Sequence, residues 1–468
     1  MSGKSAGEGP DIHVQKILAR FAAGDLMEAQ SDLVDCLKSP PKSAASCCDL
    51  ADIALSLNQV AIARAFLMGA MTSAPSAYRP NFLLGLVAWR EENYTAAREC
   101  FSFAARLPGS DATSHYHLSM VCEELGDLTA AYNAASRALE MEPEDADYQN
   151  QVACVLTQQG KHDLALGFAE TAHRHEPEAP GFAWNLAQAY LQQGRWVEGW
   201  SLFEARLAFL DQKTERPSCQ RWSGNSLDQK NLLVWSEQGL GDTLQFSRFL
   251  TALPAGSVIF RCQPEVVSIM AKALPQIEVI SSIATLPATD YHIPLLSLPG
   301  LQGYEGGSLP TSIFVSEAKP TRTTRLRVGF AWAGNKNHPD DARRSTTMEN
   351  FSVLFSTPCD WVSFQKPMLG ALPAGMEDRG SRLGNFEETA EALRDCDLVI
   401  SVDTAVSHLS ASHGIPTWLL LPFAPDWRWG LKRDLTAWYP SMRLFRQRAP
   451  GDWTDVFARV KSEILKIL

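Results

Sequence analysis

The chain is short of several things that would assign it quickly. Its ten cysteines are scattered, with no CxxC pair, and no histidine cluster has metal-ligand spacing. That excludes a disulfide scaffold and a zinc module, and suits reduced, mostly buried thiols of a cytosolic protein. No apolar run approaches the length of a membrane span, and Met1 to Pro10 is polar and small, without the apolar core of an export signal. The expectation is a cytoplasmic chain without a membrane span. Basic charge is in deficit, 42 Lys and Arg against 53 Asp and Glu, so the net charge is -11. A general nucleic-acid binder needs a basic face and is excluded. No Gly-Lys-Ser/Thr follows any glycine-rich loop, which removes a P-loop. What remains is a globular composition, 45% apolar and 20% charged, in 468 residues, enough for two or three domains.

The strongest pattern present is a repeat of 34 residues. Gly24, Asn58, Glu92, Gly126, Gly160 and Gly194 fall in register, each followed five positions later by Ala29, Ala63, Ala97, Ala131, Ala165 or Gly199. Helix breakers recur at Pro41, Pro75, Gly109, Pro143 and Pro177, and further small residues at Ala51, Gly85, Ser119, Ala153 and Ala187. Two antiparallel helices crossing closely at small side chains, with a turn between and a breaker after, produce this spacing. It resembles the tetratricopeptide repeat, about six units over residues 12–210 behind a disordered tail of 1–11. The resemblance implies a superhelix whose concave groove binds a protein or peptide. The plainer use of such an array is to solubilise the chain or to pair it as a homodimer.

After Leu210 the period is lost. Residues 211–230 read as a connector. From Asn231 short apolar strands alternate with helices, Leu232 to Trp235, Ser257 to Arg261, Glu278 to Ile280 and Tyr291 to Ile293. A charged hinge follows at Glu317 to Thr324. Strands at Arg327 to Trp332, Trp361 to Gln365, Leu398 to Val402 and Thr417 to Leu421 come next. The pattern predicts an α + α/β protein, the repeat array followed by two doubly wound lobes at 231–318 and 325–450, and a helix at 451–468.

Three constellations carry chemistry. Gly239, Gly241, Asp242 and Thr243 form a glycine-bearing turn into a helix, where Asp242 is either a helix cap or a general base facing a cleft. Asn335, Arg344 and Ser345 end one strand, and Gln365 and Lys366 the next. They are ordinary loop polarity or a set of cations and amides for a diphosphate. Asp403, Thr404, Ala405, Val406 and His408 open a helix after a buried strand, a place where backbone N–H groups hold phosphate, although a lone helical histidine more often packs than functions. Beyond it Phe423, Asp426, Trp427 and Arg428 would wall a base or sugar, or close the core. Asp395 and Asp397 spell a metal-binding Asp-x-Asp but fall on the opposite strand edge, so they read as structural and no metal is expected.

Gly239 to Leu244, Val328 to Asn335 and Asp403 to Ser410 together resemble the GT-B glycosyltransferases of the heptosyltransferase-like group. With the repeats they resemble bacterial relatives of the protein O-N-acetylglucosaminyl transferases, some of which modify flagellin. The resemblance implies a two-lobed GT-B (double Rossmann-like) unit with an acceptor lobe and a nucleotide-sugar lobe. It also implies inverting, metal-independent transfer of a sugar to a hydroxyl of a protein acceptor such as flagellin or another surface protein, with the nucleotide sugar as co-substrate and no further cofactor. Asp242 would be the base, the Asp403 to His408 segment would hold the donor, and Lys366 and Arg344 would neutralise the leaving diphosphate. Ala405 stands where that group usually has glycine. In GT-B folds the last helix packs back towards the first lobe, which sets that expectation for 451–468. The same chemistry on a lipid-linked or polysaccharide acceptor, and a non-catalytic repeat scaffold, are the two alternatives.

Overall fold

The computed structural model describes residues 10–210, 215–253, 257–314 and 325–468. The expected hinge at 317–324, the connector at 211–214 and the tail to residue 9 lie outside the described residues. The chain divides into two compact units, Met1–Glu176 and Pro177–Leu468.

Among the described residues the first unit has ten helices: α1 (Pro10–Ala23), α2 (Leu26–Cys36), α3 (Ala44–Ser56), α4 (Val60–Ser73), α5 (Tyr78–Arg90), α6 (Tyr94–Ala104), α7 (Ala112–Glu124), α8 (Leu128–Met141), α9 (Ala146–Gln158) and α10 (His162–His175). Each pair is joined by the same turn. Gly24, Asn58, Glu92, Gly126 and Gly160 all have positive φ, between 57° and 84°. The residue after each donates its N–H five positions back, as in Asn93 to Ala88 O at 2.9 Å and Asp127 to Cys122 O at 2.9 Å. This left-handed C-terminal stop satisfies helix carbonyls that would otherwise be unpaired. Small residues then let the helices touch: Ala29, Ala63, Ala97 and Ala131 are fully buried. A Cβ placed on Gly85 would lie 2.6 Å from the Phe101 ring, so only glycine fits there.

The second unit begins with a further pair across a positive-φ Gly194, α11 (Pro180–Gln192) and α12 (Trp196–Leu202), running on as a 3₁₀ turn at Phe203–Phe209. A Cβ on Gly199 would meet Leu191 at 2.6 Å, which explains glycine where the other repeats have alanine. Two sheets follow. The first comprises β1 (Gln220–Arg221), β2 (Asn231–Trp235), β3 (Ser257–Cys262), β4 (Glu278–Ser281) and β5 (Tyr291–Pro294), in the order β1-β5-β2-β3-β4. The second comprises β6 (Arg327–Ala331), β7 (Asp360–Ser363), β8 (Glu377–Asp378), β9 (Leu398–Val402), β10 (Thr417–Leu421) and β11 (Met442–Arg446), in the order β11-β10-β9-β6-β7-β8. Every pairing within these sheets is parallel, for example Val328 opposite Leu398 and Leu232 opposite Tyr291.

The helices between the strands are α13 (Leu240–Phe246), α14 (Val267–Ala273), α15 (Leu298–Leu301), α16 (Asp341–Arg344), α17 (Met348–Ser352), α18 (Phe386–Leu393) and α19 (Ala405–Ser412), and α20 (Trp453–Ile467) follows β11. Strands β9 and β10 are buried along their whole length, as parallel strands covered on both faces must be. In the second sheet the chain runs outward from β6 through β7 to β8, then returns beside β6 with β9. That reversal is a topological switch point, and the crevice outside the carboxyl ends of β6 and β9 is where open α/β sheets bind ligands. The first sheet has the equivalent reversal between β2 and β5.

One packing expectation is corrected. Helix α20 does not pack towards the first sheet. Its apolar stripe of Val456, Phe457, Val460 and Ile464 shares a core with Val328, Phe330, Phe351 and Trp418 on the second sheet, Phe351 and Phe457 stacking edge-on with ring centres 4.9 Å apart. Among the described residues no helix is long and apolar enough to cross a membrane.

Candidate active site

The site grows from the carboxyl ends of β2, β6, β9 and β10. After β2, the loop Ser236 to Gly239 enters α13 with Gly239 as its N-cap residue. Asp242 sits at the third helical position and its Oδ2 accepts the Gly239 N–H at 3.0 Å, closing the first turn on itself. Thr243 is fully buried and donates from Oγ1 to Gln263 Oε1 at 2.9 Å, so it braces the loop. Gly241 is needed for approach: a Cβ there would stand 2.8 Å from the His408 ring of α19.

After β9, Asp403 and Thr404 lead into α19, whose N-cap is Thr404. Its amide accepts support from Ser407, Thr404 N–H donating to Ser407 Oγ at 3.3 Å. Ala405 and Val406 occupy the first two helical positions, where an α-helix leaves its N–H groups unused by the helix itself. Asp403 accepts from Trp429 Nε1 at 2.7 Å and lies 3.3 Å from His408 Nε2, while His408 Nδ1 is 2.9 Å from the Tyr439 hydroxyl. Burial works to raise the Asp403 pKa, but the hydrogen bond and charge of His408, the Arg428 charge and the Trp429 N–H outweigh it and hold the carboxyl at about 2. His408 is thus a packed, doubly bonded residue that fixes Asp403.

After β10, a 3₁₀ turn at Trp427–Trp429 is capped by Asp426, which accepts the Arg428 N–H at 3.0 Å. Arg428 projects from this turn into the centre of the cluster. Its Nη2 donates to Asp242 Oδ1 at 2.6 Å and its Nη1 lies 3.1 Å from Asp426 Oδ2. Burial raises the Asp426 pKa to about 6, with Arg428 opposing and the Asp403 and Asp242 charges reinforcing. One guanidinium therefore serves two carboxylates, with a third close by.

The other expected residues are placed differently. Gln365 is buried and its whole amide is spent on the end of β6, accepting from Trp332 and Ala333 N–H at 3.0 and 2.9 Å and donating to Ala333 O at 3.0 Å. It shapes the strand end. Lys366 is exposed and donates to Leu383 O at 2.6 Å. Ser345 accepts the Gly334 N–H at 2.9 Å and donates to Asp341 at 2.8 Å, and Arg344 lies beside the same Asp341 at 3.4 Å. These contacts fold the Gly334 to Ser345 loop. Asn335 Oδ1 caps a turn inside that loop by accepting the Asn337 N–H. Phe423 donates its N–H to Gln447 at 3.1 Å. Trp427 is 4% exposed, in an aromatic core with Trp200, Phe203 and Trp438. Asp395 and Asp397 accept from Arg379 Nη1 and the Arg327 N–H, each at 2.8 Å.

Two participants went unassigned in the sequence. Tyr439 and Trp429, which orient His408 and Asp403, stand in an aromatic stretch with nothing local to separate them from core residues. His338 lies in the loop between β6 and α16. Desolvation and the Arg344 charge lower its pKa against the opposing charges of Asp340, Asp242 and Asp403, which puts the β6 loop within electrostatic reach of the cluster. A cavity of about 550 Å³ lies apart from this cluster, walled by Trp200, Arg221, Trp222, Leu301 and Tyr304. Among the described residues no group of three or more His, Cys, Asp or Glu has the arrangement of a metal site.

A family model described as tetratricopeptide repeat matches residues 82–148 and 153–208. The chain carries tetratricopeptide repeats. The 34-residue turns and buried alanines of the first unit are those of that repeat, and they support a protein-interaction scaffold. Among curated proteins the chain is 24% identical to Protein FlbA of Caulobacter vibrioides over 327 residues, covering 58% of this chain and 53% of that protein. It thus spans about half the length of the curated relative it matches. Among solved structures, YrrB, a tetratricopeptide-repeat protein with an unusual peptide-binding site, is 20% identical over 39% of this chain and 93% of its own, with a TM-score of 0.32. PilF of Pseudomonas aeruginosa is 16% identical over 43% of this chain and 97% of its own, with a TM-score of 0.34.

Proposed function

We propose that the second unit is a GT-B glycosyltransferase that moves a sugar from a nucleotide-activated donor to a hydroxyl of a protein acceptor recruited by the repeats, flagellin or another surface protein being the class in view. The observation that carries this reading is the convergence of Asp242, from the first sheet, with the amino end of α19 and Arg428, from the second. A transfer of this kind needs both halves. A carboxylate takes the proton of the acceptor hydroxyl as its oxygen attacks the anomeric carbon. The bond from that carbon to the diphosphate breaks on the opposite face, and the electron pair leaves on the diphosphate oxygen. Backbone N–H groups at Ala405 and Val406, the positive end of α19 and a cation stabilise that leaving group. Two parallel sheets, each with a switch point, supply the two ligand-binding edges this requires. The acceptor's identity as a protein rests on the repeats, whose grooves hold extended or helical segments.

A second reading is favoured by one observation. Both Asp242 oxygens are already engaged, Oδ2 by Gly239 and Oδ1 by Arg428. A repeat scaffold whose lobes bind nucleotide without turnover would have this arrangement. The experiment that separates the two is release of nucleoside diphosphate from a panel of nucleotide sugars, followed with intact-mass analysis of co-purified protein, for the full chain and Asp242→Asn. Transfer that the substitution abolishes supports the enzyme. Nucleotide binding without release, equal in both proteins, supports the scaffold.

A further inference from the structure

Arg428 is held in a manner that suits exchange. Its backbone is fixed, the N–H donating to Asp426 Oδ1 and the carbonyl accepting from Trp438 Nε1 at 2.9 Å. Its side chain is only 10% exposed, shares two carboxylates from different segments, and leans on the Trp427 ring with its guanidinium carbon 5.1 Å from the ring centre. Its Nε is buried and has no hydrogen-bond partner among the described residues. A buried donor without an acceptor is costly, and a planar fork with five N–H groups is the side chain best matched to a phosphate. Asp242 and Asp426 share the Arg428 guanidinium, so an anion entering beside α19 must draw that cation away from them.

Resting on the transferase reading, we propose that Arg428 is a shared cation that couples the two substrates: the diphosphate of the donor takes the guanidinium over from Asp242, and only then is the Asp242 carboxylate free to accept the acceptor's proton. Donor occupancy then precedes activation of the base, and a nucleotide sugar is protected from attack by water until it is seated. The coupling is thermodynamic, so it is reciprocal. Whatever weakens the Asp242 to Arg428 pair strengthens the diphosphate, and the converse holds.

That reciprocity gives a signature a merely structural pair lacks. Asp242→Asn keeps an oxygen to accept the Gly239 N–H, so the first turn of α13 stays capped, while the charge that competes for Arg428 is gone. Calorimetric titration of the full chain with inorganic pyrophosphate and with uridine, guanosine, cytidine and adenosine diphosphates is the test. The expected result is that at least one diphosphate binds the unmodified protein and binds Asp242→Asn about 3- to 10-fold more tightly, whereas Arg428→Lys, which keeps a charge and loses the fork, binds at least 5-fold more weakly. Asp426→Asn, which also removes a competitor, shifts affinity in the same direction as Asp242→Asn and serves as an independent variant. Binding to the unmodified protein with no gain in Asp242→Asn and Asp426→Asn overturns the coupling and leaves the transferase reading standing. Absence of binding to every folded variant overturns both.

Discussion

Gly241 of α13 and His408 of α19 meet so closely that a single added Cβ would stand 2.8 Å from the imidazole. The two helices follow strands of different sheets, so this contact sets how near Asp242 comes to the amino end of α19. Gly241→Ala is expected to force α13 and α19 apart at a cost of about 1 to 3 kcal/mol, as overpacking of a filled site does. Because the His408 ring holds Asp403 and contacts Tyr439, nucleotide binding should weaken as well. Urea denaturation followed by tryptophan fluorescence measures the first effect; of the thirteen tryptophans only Trp89 precedes Pro177, so the signal reports on the second unit.

The carboxylates of the cluster give stability of opposite sign with pH. The Asp426 carboxyl titrates at about 6 in the folded chain, above an unfolded value near 4, so the native state binds the extra proton and stability falls as pH rises through that window. Asp426→Asn removes the dependence. Its unfolding free energy should exceed that of the unmodified protein by about 1 kcal/mol at pH 7 and lose the advantage near pH 4, a modest figure because a third of the side chain, 33%, stays in water. Asp403, held at about 2, acts the other way, its contribution present above pH 4 and lost as pH falls towards 2. Urea midpoints across pH 4 to 7 check the first claim.

The turn residues of the repeats carry strain where they are not glycine. Glu92 has φ of 60° at the position that Gly126 fills with 74°. Glu92→Gly should stabilise the first unit by about 1 kcal/mol, and Gly126→Ala should destabilise it by a similar amount, because only glycine adopts this region without Cβ strain. Thermal unfolding by far-ultraviolet circular dichroism, which is dominated by the helices, reads both.

Behind the site, Arg206 and Glu237 form an ion pair with side chains 1% and 0% exposed. Glu237 Oε1 accepts from Arg206 Nη2 at 2.7 Å and from the Leu296 N–H at 3.2 Å, and burial raises its pKa against the pull of Arg206. Arg206→Met strands a buried carboxylate and should cost about 3 to 5 kcal/mol, whereas Arg206→Met with Glu237→Gln should recover much of the loss. A double-mutant cycle by chemical denaturation measures the difference.

How far the sequence could be read follows from what each signal depends on. The repeat turns were legible because left-handed backbone and close helix crossing restrict residue type locally, at Gly126 or Ala97, and the restriction recurs every 34 residues. The start of α19 at Ala405 was legible because strand, cap and helix are adjacent in the chain. The short strands β1, β8 and β11 are not legible in the sequence, since two of them are only two residues long and β11 carries the half-buried Arg443 and Arg446. Partnerships set by tertiary folding left no local mark. Arg428 meets Asp242 across 186 positions, Gln365 serves the end of β6, and Trp427 enters a core built partly by α12. Polar or aromatic identity alone does not say which way a side chain faces.

A donor site at the amino end of α19 is tested most directly by a thermal-shift screen of the unmodified full chain against nucleoside diphosphates and their sugars. A ligand present at a hundred times its dissociation constant stabilises the native state by about 2.7 kcal/mol, enough to move an unfolding midpoint by several degrees. Such a shift is expected for one nucleotide base in preference to the others, seen with both the diphosphate and its sugar. No shift with any of them at millimolar concentration, in protein whose circular dichroism shows it folded, would contradict it.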